Sequence, residues 1–264
     1  MISRMLLLVV ACLCFPFLSY ANDCRQLTAS GNSEYPPYLW RVSPHSEQMA
    51  GAITLLMAYV AERTGIDIRL QYAGPWGRVQ EEVAEGRVDL IAGAFYTKHR
   101  SYRMDYIRPA FQQTKTAIWV KKQQGFPFSS WGDLKDKAGV TVINNSFGQE
   151  FDDYAKRHLS IHEVVRLSQG LNMLQGRRVD YFLYEENPAK AYASELGVLD
   201  RIEALPHPVS SEELYLTISK NSPCNTPELR QKLSEALQQA AADQVMVGYL
   251  KLGVEQWKDR SQGD

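Results

Sequence analysis

Two short stretches of the sequence, Gly86-Arg87-Val88-Asp89-Leu90-Ile91 and Arg177-Arg178-Val179-Asp180-Tyr181-Phe182, are alike and lie 91 positions apart. In each stretch, charged residues lead into an apolar run of the kind that forms a buried strand. These runs are Val88 to Ala92 and Val179 to Leu183. Two α/β units built alike are the simplest explanation.

Helical and strand patterns alternate around both stretches. Ile53, Leu56, Met57 and Val60 recur at helical spacing, which predicts an amphipathic helix that ends at Gly65. Strand patterns cover residues 66–72 and 140–143, and helical patterns cover residues 76–83, 149–158 and 171–175. Such alternation predicts an α/β fold with a mainly parallel sheet.

The composition describes a globular protein. Of 264 residues, 45% are apolar and 22% are charged, and 29 basic against 30 acidic side chains give a net charge of −1. This balance argues against a disordered chain, and the lack of a basic excess argues against a nucleic-acid binder. The length fits one large or two modest domains.

The N-terminus has the pattern of an export signal. Arg4 precedes the apolar run Met5 to Leu18, and Ser19-Tyr20-Ala21 offers a cleavage site. We therefore expect residues 1–21 to be a signal peptide and the mature protein to be located in the periplasm. The alternative is a lipoprotein anchored at Cys12, because Val9-Val10-Ala11-Cys12 fits a lipobox.

Two cysteines remain after cleavage, Cys24 and Cys224, and in an oxidising compartment we expect them to form a disulfide. The alternative is two separate buried thiols. A bridge would place both chain ends in lobe 1, with residues 114–121 and 214–219 as crossovers to a second lobe. The predicted boundaries are 22–113 plus 212–264 for lobe 1 and 114–211 for lobe 2, with a ligand cleft between the lobes.

Catalytic and metal motifs are absent from the sequence: it contains no G-x-S-x-G, P-loop or G-x-G-x-x-G. His158 and His162 precede Glu163 in the order H-x-x-x-H-E, which is not the H-E-x-x-H of a zinc site. We therefore expect no metal site and no cofactor.

Arg100 is the more informative charged residue. It lies in the loop after the strand at 88–92, where ligands collect in α/β folds, and a guanidinium can hold a carboxylate there bidentately. The alternative is a surface arginine in a basic run with Lys98 and Arg103. Glu185 and Glu186 follow the strand at 179–183 in the second unit, so a guanidinium and a carboxylate facing each other across a cleft would suit a zwitterion.

The whole chain resembles the family 3 periplasmic solute-binding proteins of ABC transporters. The landmarks occur in the family order over nearly all of the mature chain: Glu34-Tyr35-Pro36-Pro37-Tyr38, Gly51, Gly86 to Leu90, Thr97-Lys98-His99-Arg100, Trp131-Gly132-Asp133-Leu134-Lys135 and Gly176 to Asp180. The resemblance implies a type II periplasmic-binding fold, in which two α/β lobes joined by a two-strand hinge close on a ligand.

The resemblance also implies roles for particular residues. Arg100 would bind the ligand carboxylate, helped by backbone groups near Gly93 and Phe95 and by the loop Asn145-Ser146-Phe147, and Glu185 would receive the ammonium group. The remaining expected ligand contacts are Tyr35 and Trp76, which would line the side-chain pocket, and Arg78, a second contact for an anion.

The sequence departs from the family pattern at four places: Glu185 replaces a common aspartate, the segment Asn145-Ser146-Phe147 replaces Gly-Thr/Ser-Thr, Thr54 replaces a frequent aspartate, and Phe95 replaces a small hydroxyl residue. The expected function is that of a monomeric, non-catalytic receptor for an amino acid or related carboxylate, which delivers its ligand to an ABC permease. The alternative is an exported enzyme that resembles cyclohexadienyl dehydratases and uses Glu185 as an acid.

Overall fold

The computed structural model describes residues 24–260. The predicted signal peptide, and with it Cys12, lies outside the described residues. Strands are β1 Gln26–Ser30, β2 Glu34–Tyr35, β3 Leu39–Arg41, β4 Met49–Ala50, β5 Asp67–Leu70, β6 Leu90–Phe95, β7 Met104–Lys121, β8 Ala138–Val142, β9 Ser160–Val164, β10 Tyr181–Glu185, β11 Ile202–Ala204 and β12 Ser210–Ser219. Helices are α1 Ala52–Thr64, α2 Trp76–Ala84, α3 Lys98–Ser101, α4 Gln149–His158, α5 Leu167–Gln175, α6 Glu186–Glu195, α7 Pro227–Ala242 and α8 Val245–Arg260.

A mixed sheet runs through the molecule in the order β5-β1-β6-β12-β7-β10-β8-β9, with β11 paired to β7. The outer strands are parallel on both sides, β5-β1-β6 and β10-β8-β9, as the alternating sequence patterns predicted. We call the first set with α1, α2, α7 and α8 lobe 1, and the second set with α4, α5 and α6 lobe 2.

Two antiparallel strands, β7 and β12, connect the lobes. They pair with each other from Ser210↔Thr116 to Ser219↔Met104, so each strand runs from one lobe into the other. The two predicted crossovers at 114–121 and 214–219 are therefore both present, and both are longer than predicted. The domain boundaries themselves stay a prediction, because the hinge strands belong to both lobes.

The helices form where the apolar spacing predicted them. In α1 the buried side chains include Ile53, Leu56, Met57 and Val60, and Gly65 ends the helix in the left-handed conformation at φ 68°. That conformation favours glycine, because glycine has no Cβ. At α7, the Thr226 hydroxyl accepts a hydrogen bond from the Leu229 N–H and caps the helix.

The aspartates of the two similar sequence stretches accept equivalent hydrogen bonds in the two lobes. The Asp89 carboxylate accepts a hydrogen bond from the Thr28 N–H of β1, and the Asp180 carboxylate accepts one from the Ala138 N–H of β8, both at 2.8 Å. Each aspartate directly precedes one strand and accepts a hydrogen bond from a backbone N–H of a neighbouring strand that runs parallel to it. This equivalence supports the interpretation that the two units are built alike.

The predicted disulfide is present between Cys24 and Cys224, across a sequence separation of 200 residues. It ties the segment before β1 to the segment before α7, so both ends of the described chain belong to lobe 1. Both α7 and α8 pack against α1. Within residues 24–260, no helix is long and apolar enough to cross a membrane.

Candidate functional site

A small cavity of about 20 Å³ lies between the lobes, next to the ends of β6 and β10. Lobe 1 contributes Tyr35, Trp76, Gly93 and Phe95 to its wall, and lobe 2 contributes Glu185. The structure thus brings five of the predicted ligand contacts together. Gly93, Phe95 and Glu185 meet here because the carboxyl ends of the parallel strands β6 and β10 open onto the space between the lobes.

Arg100 lies beside this cavity and is 5% exposed. Thr97 begins α3, and its hydroxyl accepts a hydrogen bond from the Arg100 N–H, which fixes the backbone. The guanidinium donates to the Phe95 carbonyl (3.1 Å), to the Gln80 side-chain oxygen (3.0 Å) and to the Asn144 carbonyl of lobe 2 (3.3 Å). This buried cation therefore spans the cleft.

Arg100 is a buried cation whose charge no ion pair with a described residue neutralises. Burial lowers the pKa of its guanidinium, and none of the carboxylates among residues 24–260 forms an ion pair with it. A buried charge is costly unless it is paired. Three neutral acceptors offset part of that cost, and an incoming carboxylate would offset more.

Glu185 is the counterpart of Arg100 in lobe 2. It ends β10, directly precedes α6, and is 2% exposed. Burial raises the pKa of its carboxyl to about 7, and a backbone N–H, the Asn145 side chain and the positive charge of Arg100 offset only part of that rise. Near neutral pH the carboxyl is therefore divided between its acid and its ionised form.

Three buried polar atoms around the cavity make no hydrogen bond of good geometry among the described residues, although the Asn145 and Tyr35 side chains lie near enough to Glu185 to lower its pKa. They are Glu185 Oε2, Tyr35 Oη and Asn145 Nδ2. Buried polar atoms are nearly always hydrogen-bonded, and exceptions concentrate at functional positions. One acceptor and two donors therefore face a space that a polar ligand group can enter.

The lobes also touch through direct hydrogen bonds. The Asn144 carbonyl of lobe 2 accepts from three lobe 1 side chains, Trp76 (3.1 Å), Gln80 (3.3 Å) and Arg100. On the other side of the cavity, the Asn32 amide donates to the Tyr184 hydroxyl at 3.2 Å. The structure thus has the lobes closed on each other.

This architecture has known counterparts. Residues 27–251 match the family described as bacterial extracellular solute-binding proteins, family 3. The chain belongs to this family. A comparison with curated proteins found no match.

Solved structures of periplasmic-binding-protein-like type II proteins share the fold of this chain. A histidine kinase sensor domain with similarity to periplasmic binding proteins superimposes with a TM-score of 0.70 at 18% identity, covering 89% of this chain and 97% of that one. An amino acid ABC transporter substrate-binding protein from Streptococcus pneumoniae, bound to L-arginine, gives 0.70 at 18% identity over 89% and 95%. An ancestral arginine-binding protein bound to arginine gives 0.69 at 20% identity over 88% and 97%.

The remaining predicted contacts of this family 3 protein lie away from the small cavity. The Ser146 hydroxyl donates to the Asp152 carboxylate, in a groove that Arg100 also lines. Phe147 packs into the lobe 2 core. Arg78 is exposed on α2 and forms an ion pair with Glu82 on the next turn of the helix. The structure does not bring Arg78 or Phe147 to the cavity.

Sequence reasoning missed three residues of the cleft: Asn32, Gln80 and Asn144. Gln80 lies one helical turn after Trp76, so the helical spacing of α2 was the available signal. Asn144 directly precedes the predicted loop 145–147 and has a positive φ of 59°, a conformation in which asparagine is enriched. His158, at the end of α4, and His162, in β9, lie on different elements, and residues 24–260 hold no group of three side chains suited to a metal ion.

Proposed function

We propose that the protein is an extracytoplasmic receptor for an amino acid or a related small carboxylate. The single observation that carries the proposal is Arg100, a buried guanidinium at the boundary of the lobes that has no carboxylate partner among residues 24–260. A ligand carboxylate would form charge-assisted hydrogen bonds with it. Glu185 would bind such a ligand to lobe 2, because its carboxylate suits an ammonium group.

Delivery to a membrane permease is the second part of the proposal. It rests on the family and on the likeness of the fold to the substrate-binding proteins of amino acid ABC transporters. The two hinge strands support it physically, because a two-strand connection permits the lobes to open and close over a ligand. The ligand-bound protein would then differ in shape from the free protein.

Thermal unfolding against a panel of amino acids, amines and small carboxylates tests the receptor proposal. A ligand at about 100 times its dissociation constant stabilises the folded state by about 2.7 kcal/mol, which raises the melting temperature measurably. The compound that produces the shift should be recovered chemically intact. Conversion of the compound, or no shift across the panel, would count against a receptor for this class of solute.

The Arg100→Ala variant tests the residue assignment. Loss of a desolvated charge pair should weaken carboxylate binding by about 2–5 kcal/mol, measured by calorimetry with the compound found above. Arg103→Ala is the matched control, because Arg103 is three residues away but forms an ion pair with Glu81. Equal affinities for the wild type and Arg100→Ala would remove Arg100 from the binding site.

The raised pKa of Glu185 favours one second candidate, a dehydratase-like enzyme. A carboxyl group whose pKa is about 7 can donate a proton at neutral pH, as a general acid must. Product formation from prephenate or arogenate, lost in Glu185→Gln, would establish this candidate. A receptor would behave differently: a bound ammonium would lower the pKa of Glu185, so ligand binding near pH 6 would release a proton without turnover.

A further inference from the structure

A second and larger cavity lies beside the small one, also between the lobes. Its volume is about 300 Å³, and Asn32 and Trp76 line both cavities, so the two are neighbours. Three arginines line the larger cavity: Arg41 from lobe 1, Arg166 from lobe 2 and Arg260 from the end of α8. We call this space the arginine vestibule.

The three guanidinium groups have no carboxylate partners among the described residues, since none of them forms an ion pair there. Arg41 stacks over the Tyr72 ring at 3.8 Å and donates through Nε to the Ser46 carbonyl. Arg260 stacks over the Trp257 ring at 4.5 Å. A stacked guanidinium keeps N–H groups in its plane, with which it can bind an anion.

Acidic groups do not neutralise the vestibule. Glu34 is the one carboxyl group that lines it, and Glu34 Oε2 already accepts a hydrogen bond from the Leu167 N–H. Burial raises the pKa of Glu34, and the Leu167 N–H and the positive charge of Arg166 offset part of that rise. Glu195 lies outside the lining and raises the pKa of the neighbouring Tyr192, whereas the positive charges of Arg166 and Arg260 lower it. Three cations thus face one carboxyl group.

We infer that the ligand carries a second anionic group, a carboxylate or a phosphate, which binds in the arginine vestibule. The inference rests on the proposed receptor function and names the class of ligand: an elongated acidic solute whose first carboxylate faces Arg100. Two features of the structure support it. The vestibule and the small cavity share Asn32 and Trp76 in their walls. The volume of the vestibule, about 300 Å³, is about ten times the volume that one water molecule occupies in the liquid, so the vestibule is larger than a short ligand side chain needs.

Matched pairs of probes test this inference by calorimetry on the protein after removal of bound solute by unfolding and refolding. Each pair differs in the second anionic group: glutamate with glutamine, γ-glutamylglutamate with γ-glutamylglutamine, and O-phosphoserine with serine. We expect the acidic member of at least one pair to bind at least tenfold more tightly than its neutral partner. The pairs also distinguish a carboxylate from a phosphate, and a short ligand from a long one.

Variants connect the preference to the vestibule. In Arg166→Gln the tenfold preference should fall to about threefold or less, while the affinity for the neutral member stays unchanged. Arg166 is exposed, so this change should not disturb folding, and Arg41→Gln provides a second variant from the other lobe. Arg178→Gln is the matched control, because Arg178 is an exposed lobe 2 arginine that does not line the vestibule.

The outcomes separate this inference from the proposed function. Equal binding of acidic and neutral members would overturn the vestibule and leave the receptor standing. A preference that survives Arg166→Gln and Arg41→Gln would also overturn it. Absence of binding for every probe would count against both.

Discussion

Glu185→Gln gives the most direct test of the electrostatics of the cleft. The side chain is 2% exposed, and burial raises the pKa of its carboxyl from the ordinary value of 4.5 to about 7. Glutamine has nearly the same shape but no titrating proton. The substitution therefore removes the pH dependence that this one group contributes to stability and leaves the packing in place.

The sign follows from proton binding in the two states. Between pH 4.5 and about 7, the folded protein keeps a proton on Glu185 that the unfolded chain has already released. Stability from this group is therefore fully present below pH 4.5, falls as the pH rises, and stops falling above about pH 7. At about 1.4 kcal/mol per pH unit, the loss over this interval is about 3 kcal/mol.

The assay is guanidinium-induced unfolding of ligand-free wild type and Glu185→Gln between about pH 4.5 and pH 8. We expect the variant to gain about 3 kcal/mol relative to the wild type across this range. Burial also raises the pKa of Glu34, Asp152 and Glu212, but these groups are common to both proteins and cancel in the difference.

The control is Glu186→Gln, which removes the neighbouring carboxylate. Glu186 is half-buried and paired with the exposed Lys190, and such a solvent-accessible ion pair should contribute less than about 1 kcal/mol to stability. A stability difference between wild type and Glu185→Gln that stays constant with pH would refute the reasoning, because it would mean that Glu185 ionises in the folded protein as it does in the unfolded chain.

Two further predictions concern the framework of lobe 1. Replacing Cys24 and Cys224 together by serine should reduce the free energy of unfolding by up to about 5 kcal/mol, because loop-closure theory assigns that cost to a loop of 200 residues; an unchanged midpoint in guanidinium would contradict it. Gly253→Ala should destabilise by about 1–3 kcal/mol, since an added Cβ would lie 2.4 Å from the Pro37 carbonyl oxygen. The matched change Gly248→Ala meets no atom within 4 Å and should stabilise α8 by up to about 1 kcal/mol; equal thermal shifts for the two glycine variants would show that the Pro37 contact is not tight.

The fold could be predicted from the sequence because its signals are local. Apolar spacing in α1 and the buried runs of β6 and β10 depend only on neighbouring residues. The extent of β7 could not be predicted in the same way: it begins at Met104, ten residues before the predicted crossover. Pro109 lies within this strand, and proline normally argues against a strand except at an irregularity; here it falls in residues 108–111, where the pairing of β7 with β12 shifts register between Leu214 and Leu216.

The site could be predicted only in part for a related reason. Arg100 and Glu185 follow buried strands, and the ends of such strands meet at one edge of a sheet, so their positions follow from local patterns. The vestibule arginines follow from no local pattern. Arg41 ends β3, Arg166 directly precedes α5 and Arg260 ends α8, and only the packing of the lobes brings these segments together.

The Asn144 carbonyl explains how a cleft with a buried cation can close. A carbonyl oxygen has two lone pairs, yet here it receives donors from Trp76, Gln80 and Arg100. Three donors therefore compete for two acceptor positions, so their hydrogen bonds are individually weak. A ligand carboxylate brings two oxygens and a full charge, and it would take Arg100 from this competition while Trp76 and Gln80 keep the contact with lobe 2. A ligand would therefore improve the pairing of Arg100 without breaking the contact that holds the lobes together, and its binding would stabilise the closed form.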